Sequence, residues 1–109
     1  MNYFQKLKMI AKGLNKKYPK GNEPFQIITR LCEETGELAK EVNHFEDTGR
    51  KIEKYGKPDK NKLAREVQDV FRSALHAAIY YKIEKELRDS IDERFEKLKD
   101  DGFIKDDEK

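Results

Sequence analysis

A chain of 109 residues holds one domain and leaves no room for a second. Hydrophobic residues make up 36% and charged residues 42%, so a lone subunit has a thin core, and association into an oligomer is expected from composition. The 24 Lys and Arg against 22 Asp and Glu leave a net charge of +2, which argues against an electrostatic nucleic-acid binder and against an acidic disordered tail.

The first residues, MNYFQKLKMIAKGLN, carry lysines throughout and no continuous apolar run, so they read as neither a signal peptide nor a membrane span. A soluble, cytoplasmic protein is expected. Phe4, Leu7, Ala11 and Leu14 recur at three- and four-residue spacing and predict a first helix over residues 2–17. YPKGNEP then reads as a loop, with Pro24 suited to the first turn of the next helix, where its missing N–H costs nothing. Ile27, Ile28, Leu31, Leu38, Val42 and Phe45 form the stripe of a second helix, expected over 24–47. Gly36 falls inside it at a cost of up to about 1 kcal/mol against Ala, which is tolerable where something approaches the backbone closely. Cys32 has no disulfide or CxxC partner and reads as a small apolar residue on a buried face.

Residues 47–61, DTGRKIEKYGKPDKN, read as a basic loop or a loop with a short helical piece. A third helix is expected to start near Asp59 to Lys62, with Leu63, Val67, Val70, Phe71, Ala74, Leu75 and Ala78 facing inward. YYKIEKEL has neither Gly nor Pro, and the break to a fourth helix is placed near Lys82 to Glu84. Ile83, Leu87, Ile91, Phe95 and Leu98 give that helix its stripe. The end, DDGFIKDDEK, reads as a frayed polar tail. No alternating strand pattern occurs, so the expected class is all-α, a four-helix bundle-like arrangement. His44 and His76 are isolated and read as surface or interface residues, and Phe71, Tyr80 and Tyr81 as packing.

Carboxylates crowd the second and third helices. At about 100° per residue, Glu34 lies at the edge of the second stripe, with Glu37 and Glu41 just beyond it on the same side, while Glu33 points away. Glu66 flanks the third stripe and Asp69 lies one step further round. Each helix therefore offers two acids three residues apart, and antiparallel packing would bring both pairs into one cleft. Four carboxylates there need a counter-charge. With no His or Cys nearby, the donor set suits a hard ion, Mg²⁺ first and Mn²⁺ second, and the Glu-x-x-His pairs of di-iron bundles are absent. The same pattern also describes a solvated acidic face with lysine partners such as Lys40.

The order is more specific than the spacing. EETGE at 33–37 is followed, after 28 residues, by EVQD at 66–69. With GELAKEV after the first motif and DV opening an apolar helix after the second, this resembles the MazG-like nucleoside triphosphate pyrophosphohydrolases, over about residues 22–100. The resemblance implies an enzyme that hydrolyses the α–β phosphoanhydride of an NTP or dNTP to monophosphate and pyrophosphate. It implies Glu34, Glu37, Glu66 and Asp69 as Mg²⁺ ligands, with Glu33 behind them and Glu33 or Glu34 orienting or deprotonating the attacking water. It further implies a homodimer or homotetramer, while the charge balance and the lack of an apolar span lead us to expect no nucleic acid or membrane as partner.

The C-terminal side departs from the pattern. Relatives often place a Lys and an Asn on the last helix for the triphosphate, whereas IDERFEKLKDDGF has no Asn and offers Arg94, Lys97 and Lys99. Arg94 is the best match, and a solvated face with Glu93 and Glu96 is the other reading. Loop residues Arg50, Lys51, Lys54 and Lys57 are a second phosphate-side group. Asn22 and Gln26 would lie toward the base pocket. Phosphoribosyl-ATP hydrolysis, or a non-catalytic module that binds nucleotide or metal, stands as the alternative function.

Overall fold

Asn2 opens the first helix with a reciprocal cap: its Oδ1 accepts from the Gln5 backbone N–H at 2.8 Å, and Gln5 Oε1 accepts from the Asn2 backbone N–H at 2.9 Å. From there, the computed structural model describes residues 1–106 as α1 (Tyr3–Lys17), α2 (Pro24–Phe45), α3 (Lys51–Tyr55), α4 (Lys60–Tyr80) and α5 (Glu84–Asp100). The protein is all-α, with five helices and no strand among the described residues. α3 is the short helical piece expected within the basic loop. Pro24 opens α2, and Gln26 Oε1 accepts from the Glu23 N–H at 3.1 Å. Before α4, Asp59 Oδ1 accepts from the Asn61 N–H at 2.8 Å. The break before α5 comes without glycine: Lys82 turns the chain at φ 57°, a left-handed conformation that costs a non-Gly residue about 1–3 kcal/mol.

The chain forms two compact units, Met1–Ala77 and the residues from Ala78 onward, and the boundary falls in the last turn of α4. In the first unit α2 and α4 run antiparallel. Glu34 meets Arg72, while Glu41, two turns further along α2, meets Lys62, almost three turns back along α4. α1 joins through the His76 ring, whose Nε2 lies 3.2 Å from the Ala11 carbonyl. Ala11, Ile27 and Leu75 are buried there, and with them Glu41, Ser73 and His76.

That interior corrects several expectations. Val67, Phe71 and Ala74 were expected inward and are exposed, Phe71 at 59%. Ile28 and Val42 of α2 and Cys32 are exposed as well, as are Tyr80 and Tyr81, which pack edge-on against each other at 5.1 Å. His76, expected at the surface or an interface, is 3% exposed. The physical reason is pairing. Apolar residues spread around α4 too widely to be buried on one side, and the face of α4 that carries Asp69, Arg72 and Ser73 turns toward α2. Ion pairs to Arg72 and Lys62 supply the counter-charges that make this possible.

Gly36 was expected to admit a close approach, but nothing lies within 4 Å of where its Cβ would stand. Gly36→Ala should therefore stabilise the protein by about 0.5–1 kcal/mol through helix propensity, read as a higher urea midpoint. An unchanged or lower midpoint would mean that this stretch of α2 needs glycine for another reason.

In the second unit, Ile83, Ile91, Phe95 and Leu98 are all exposed. The expected polar tail is partly held: α5 ends at Asp100, and Lys99 Nζ pairs with Asp106 at 2.8 Å. Residues 107–109 of that tail lie outside the described residues.

Candidate metal centre

Glu34 reaches the α2–α4 seam from mid-α2, and Glu66 and Asp69 reach it from consecutive turns of α4. Each offers one carboxylate oxygen, and the three oxygens lie within 4.8 Å of one another. All three residues are half-buried. Two sequence-predicted acids stand apart from this group. Glu37, one turn along α2, is exposed, and Glu33 lines a shallow cleft with Phe25, Gln26, Thr29 and Arg30. Gln26 is already engaged as the cap of α2.

Glu66 bears the electrostatic cost. Its carboxyl is held above the usual range, first by burial and then by the charges of Asp69, Glu34, Glu37 and Glu41. Glu34 and Asp69 have a counter-ion that the sequence reading missed. The Arg72 guanidinium lies 3.9 Å from Glu34 Oε1 and 3.7 Å from Asp69 Oδ1, with only 12% of its side chain exposed. These are ion-pair distances longer than a hydrogen bond. The signal was present in the sequence, because Arg72 follows Asp69 at i,i+3.

The donor set fits a hard divalent cation: three carboxylate oxygens from two rigid helices, with no nitrogen or sulfur ligand in the group.

Two cavities flank the seam. One, of about 290 Å³, is lined by Leu14, Asn15, Tyr18, Asn22, Arg30, Arg72 and His76. Asn15 Oδ1 is buried without a hydrogen-bond donor, while Asn22 Nδ2 donates to the Tyr18 carbonyl at 2.9 Å. Arg30 donates to the Gly21 carbonyl at 2.7 Å. The second cavity, of about 360 Å³, is lined by Lys40, Glu41, His44, Lys51, Tyr55, Lys57, Asp59 and Lys62. Glu41 Oε1 pairs there with Lys62 Nζ at 3.1 Å, rather than with the neighbouring Lys40, and Glu41 Oε2 is buried without a donor. The Glu41 contact raises the Lys62 ammonium's affinity for its proton. His44 Nε2 lies 2.7 Å from the Gly56 carbonyl, which ties α2 to the loop. Among the other loop residues, Arg50 pairs with Glu53 at 3.4 Å. Arg94 and Lys97 belong to the second unit and share a hollow on α5 with Ser90 and Glu93.

His76 makes the first unit sensitive to acid. A carbonyl only accepts, so His76 Nε2 carries the proton toward Ala11. Burial, then the positive charges of Arg72 and Arg30, hold its pKa below the ordinary value, although the Ala11 bond opposes them. A histidine whose folded pKa is depressed contributes stability above its unfolded pKa, near 6.5. That contribution is lost as pH falls through the folded value. Wild type should therefore lose thermal stability on acidification below about pH 6.5, and His76→Gln should flatten this limb of the profile. Identical pH profiles for both proteins would remove His76 as its cause.

No helix among the described residues is long and apolar enough to cross a membrane. No protein-family model, curated protein or solved structure matches the chain.

Proposed function

We propose that this protein is a Mg²⁺-dependent nucleotide pyrophosphohydrolase of the MazG-like kind, with the four-helix bundle-like fold of that group, and that it cleaves the α–β phosphoanhydride of an NTP or dNTP. One observation carries the reading: Glu34, Glu66 and Asp69, three of the four acids that the motif order marks as ligands, converge from two helices to within 4.8 Å. In this reading Glu37 completes the ligand set. Glu33 and Glu34 orient the attacking water and take its proton. A bound Mg²⁺, with Mn²⁺ as the substitute, neutralises charge on the phosphoryl oxygens and acidifies water. The cavity that Arg72 also lines supports a nucleotide as the ligand, since Asn15 Oδ1 lacks a donor there and a base edge or sugar hydroxyl supplies one. Gln26 remains a candidate for a substrate contact. Exposed Phe71, Val67, Ile28 and Val42 support assembly into a homodimer or homotetramer.

A second reading has a specific observation behind it. Arg72 already stands against two of the acids, which also suits a module that binds nucleotide without turning it over. Product analysis separates the two. The purified protein is incubated with a panel of NTPs, dNTPs and phosphoribosyl-ATP, with Mg²⁺ or with EDTA. Monophosphate (or phosphoribosyl-AMP) plus pyrophosphate, lost on chelation, is the expected result. Diphosphate plus phosphate would overturn the bond assignment, and binding without any product would favour the module.

A further inference from the structure

We propose that Arg72 is the resident counter-cation of the acid cluster, that it opposes metal loading of the free protein, and that a phosphate group relieves this opposition, so that metal and phosphate bind together. The inference rests on the metal reading of Glu34, Glu66 and Asp69 given above. Two features of the geometry support it. Arg72 stands 3.9 Å from Glu34 Oε1 and 3.7 Å from Asp69 Oδ1, on the carboxylates of two of the three clustered acids. A divalent ion on those carboxylates would share them with a guanidinium, and like charges in one half-buried site repel. Arg72 also lines the cavity of about 290 Å³, together with Arg30 and His76, and so links that space to the acids it pairs with.

A guanidinium and a metal ion that face the same space are reconciled by an anion that contacts both. Phosphate suits the pair, because its oxygens ligate a hard cation and accept from the guanidinium at the same time. The ion-pair distances exceed hydrogen-bond length, so Arg72 is held to the acids by charge rather than by a locked bidentate bond, and an incoming phosphate can draw it off. By linkage, whatever phosphate does for metal affinity, metal does equally for phosphate affinity. The arrangement would keep the free protein sparsely loaded and make metal binding part of substrate recognition. Arg72 is thus a positioning residue for metal and phosphate.

The test is Mn²⁺ binding to the full chain, followed by electron paramagnetic resonance of the free ion, with inorganic phosphate as the anion probe. Arg72→Gln should bind Mn²⁺ on the order of tenfold more tightly than wild type without phosphate. Arg72→Lys, which keeps the charge, should stay near wild type. Adding phosphate should tighten Mn²⁺ binding severalfold in wild type and clearly less in Arg72→Gln, where only direct ligation of the ion by phosphate remains. Equal or weaker binding by folded Arg72→Gln overturns the counter-cation role. The phosphate arm needs no variant, so it decides the question even where Arg72→Gln fails to fold: a wild-type affinity indifferent to phosphate overturns the coupling. Absence of Mn²⁺ binding in wild type and Arg72→Gln alike, with or without phosphate, overturns the metal centre itself and this inference with it.

Discussion

Asp69→Asn should reduce nucleotide hydrolysis by about 10²–10³-fold while leaving the helical circular dichroism signal intact. Asn keeps the size of Asp and removes its charge, so the loss would report charge rather than packing. Glu66→Gln should match it in activity and differ in stability. The Glu66 carboxyl is held above its usual pKa by burial and by its acidic neighbours. A group whose folded pKa is raised contributes stability below its unfolded value, near 4.5, and loses it as pH rises through the folded value. At neutral pH the metal-free protein therefore carries Glu66 at a cost. Neutralising it should stabilise the metal-free protein by about 0.5–2 kcal/mol, seen as a higher thermal midpoint. Mn²⁺ should raise the midpoint of wild type, by about 2.7 kcal/mol of stabilisation at a hundred times Kd, and should not raise that of Glu66→Gln. Undiminished turnover in both variants would remove the acid cluster from the chemistry. A destabilised Glu66→Gln would mean that this carboxylate is a structural partner.

The helices were legible in the sequence because local signals mark their ends. Pro24 with Glu23 and Gln26, Asn2 with Gln5, and Asp59 with Asn61 each fix a start, and those bonds are made within a few residues. Which face of each helix turns inward was less legible. Periodicity counts apolar residues, and on α4 it favours Val67, Phe71 and Ala74, which are exposed. The buried side is chosen by partners far away in sequence: Arg72 for Glu34, Lys62 for Glu41, and the Ala11 carbonyl for His76. A single sequence contains those residues but not their pairing. The acid cluster was legible for a related reason. Three-residue spacing puts Glu66 and Asp69 on one side of α4 whatever that helix packs against, and only the antiparallel α2 was needed to add Glu34. Arg72 was only half legible: its i,i+3 spacing from Asp69 lies in the sequence, but its reach across to Glu34 depends on how α4 meets α2.

Phe71→Glu should break an oligomer into monomers. Phe71 is 59% exposed and Val67 38% exposed on α4, while Ile28 and Val42 of α2 are 52% and 44% exposed. Soluble monomers tolerate scattered apolar residues, but these four large ones lie exposed on the two helices that also carry the acids, in a unit whose buried apolar side chains, among the described residues, are Ala11, Ile27 and Leu75. Each square ångström of apolar surface removed from water contributes about 25 cal/mol, so covering these side chains with a second copy recovers stability that the polar interior of the subunit does not provide. An aromatic at the centre of such a contact typically costs about 2–4 kcal/mol when lost, which corresponds to roughly 30–10³-fold in the dimer Kd. Sedimentation velocity of wild type across a concentration series should give a dimer or tetramer, and Phe71→Glu should give monomer at the same concentrations. Phe25→Glu changes a residue that is 85% exposed at the start of α2 and serves as the comparison. If wild type sediments as a monomer throughout, these side chains cover no second copy. If Phe71→Glu remains associated, the contact lies elsewhere, and exposed Ile91 and Phe95 of α5 become the next positions to charge.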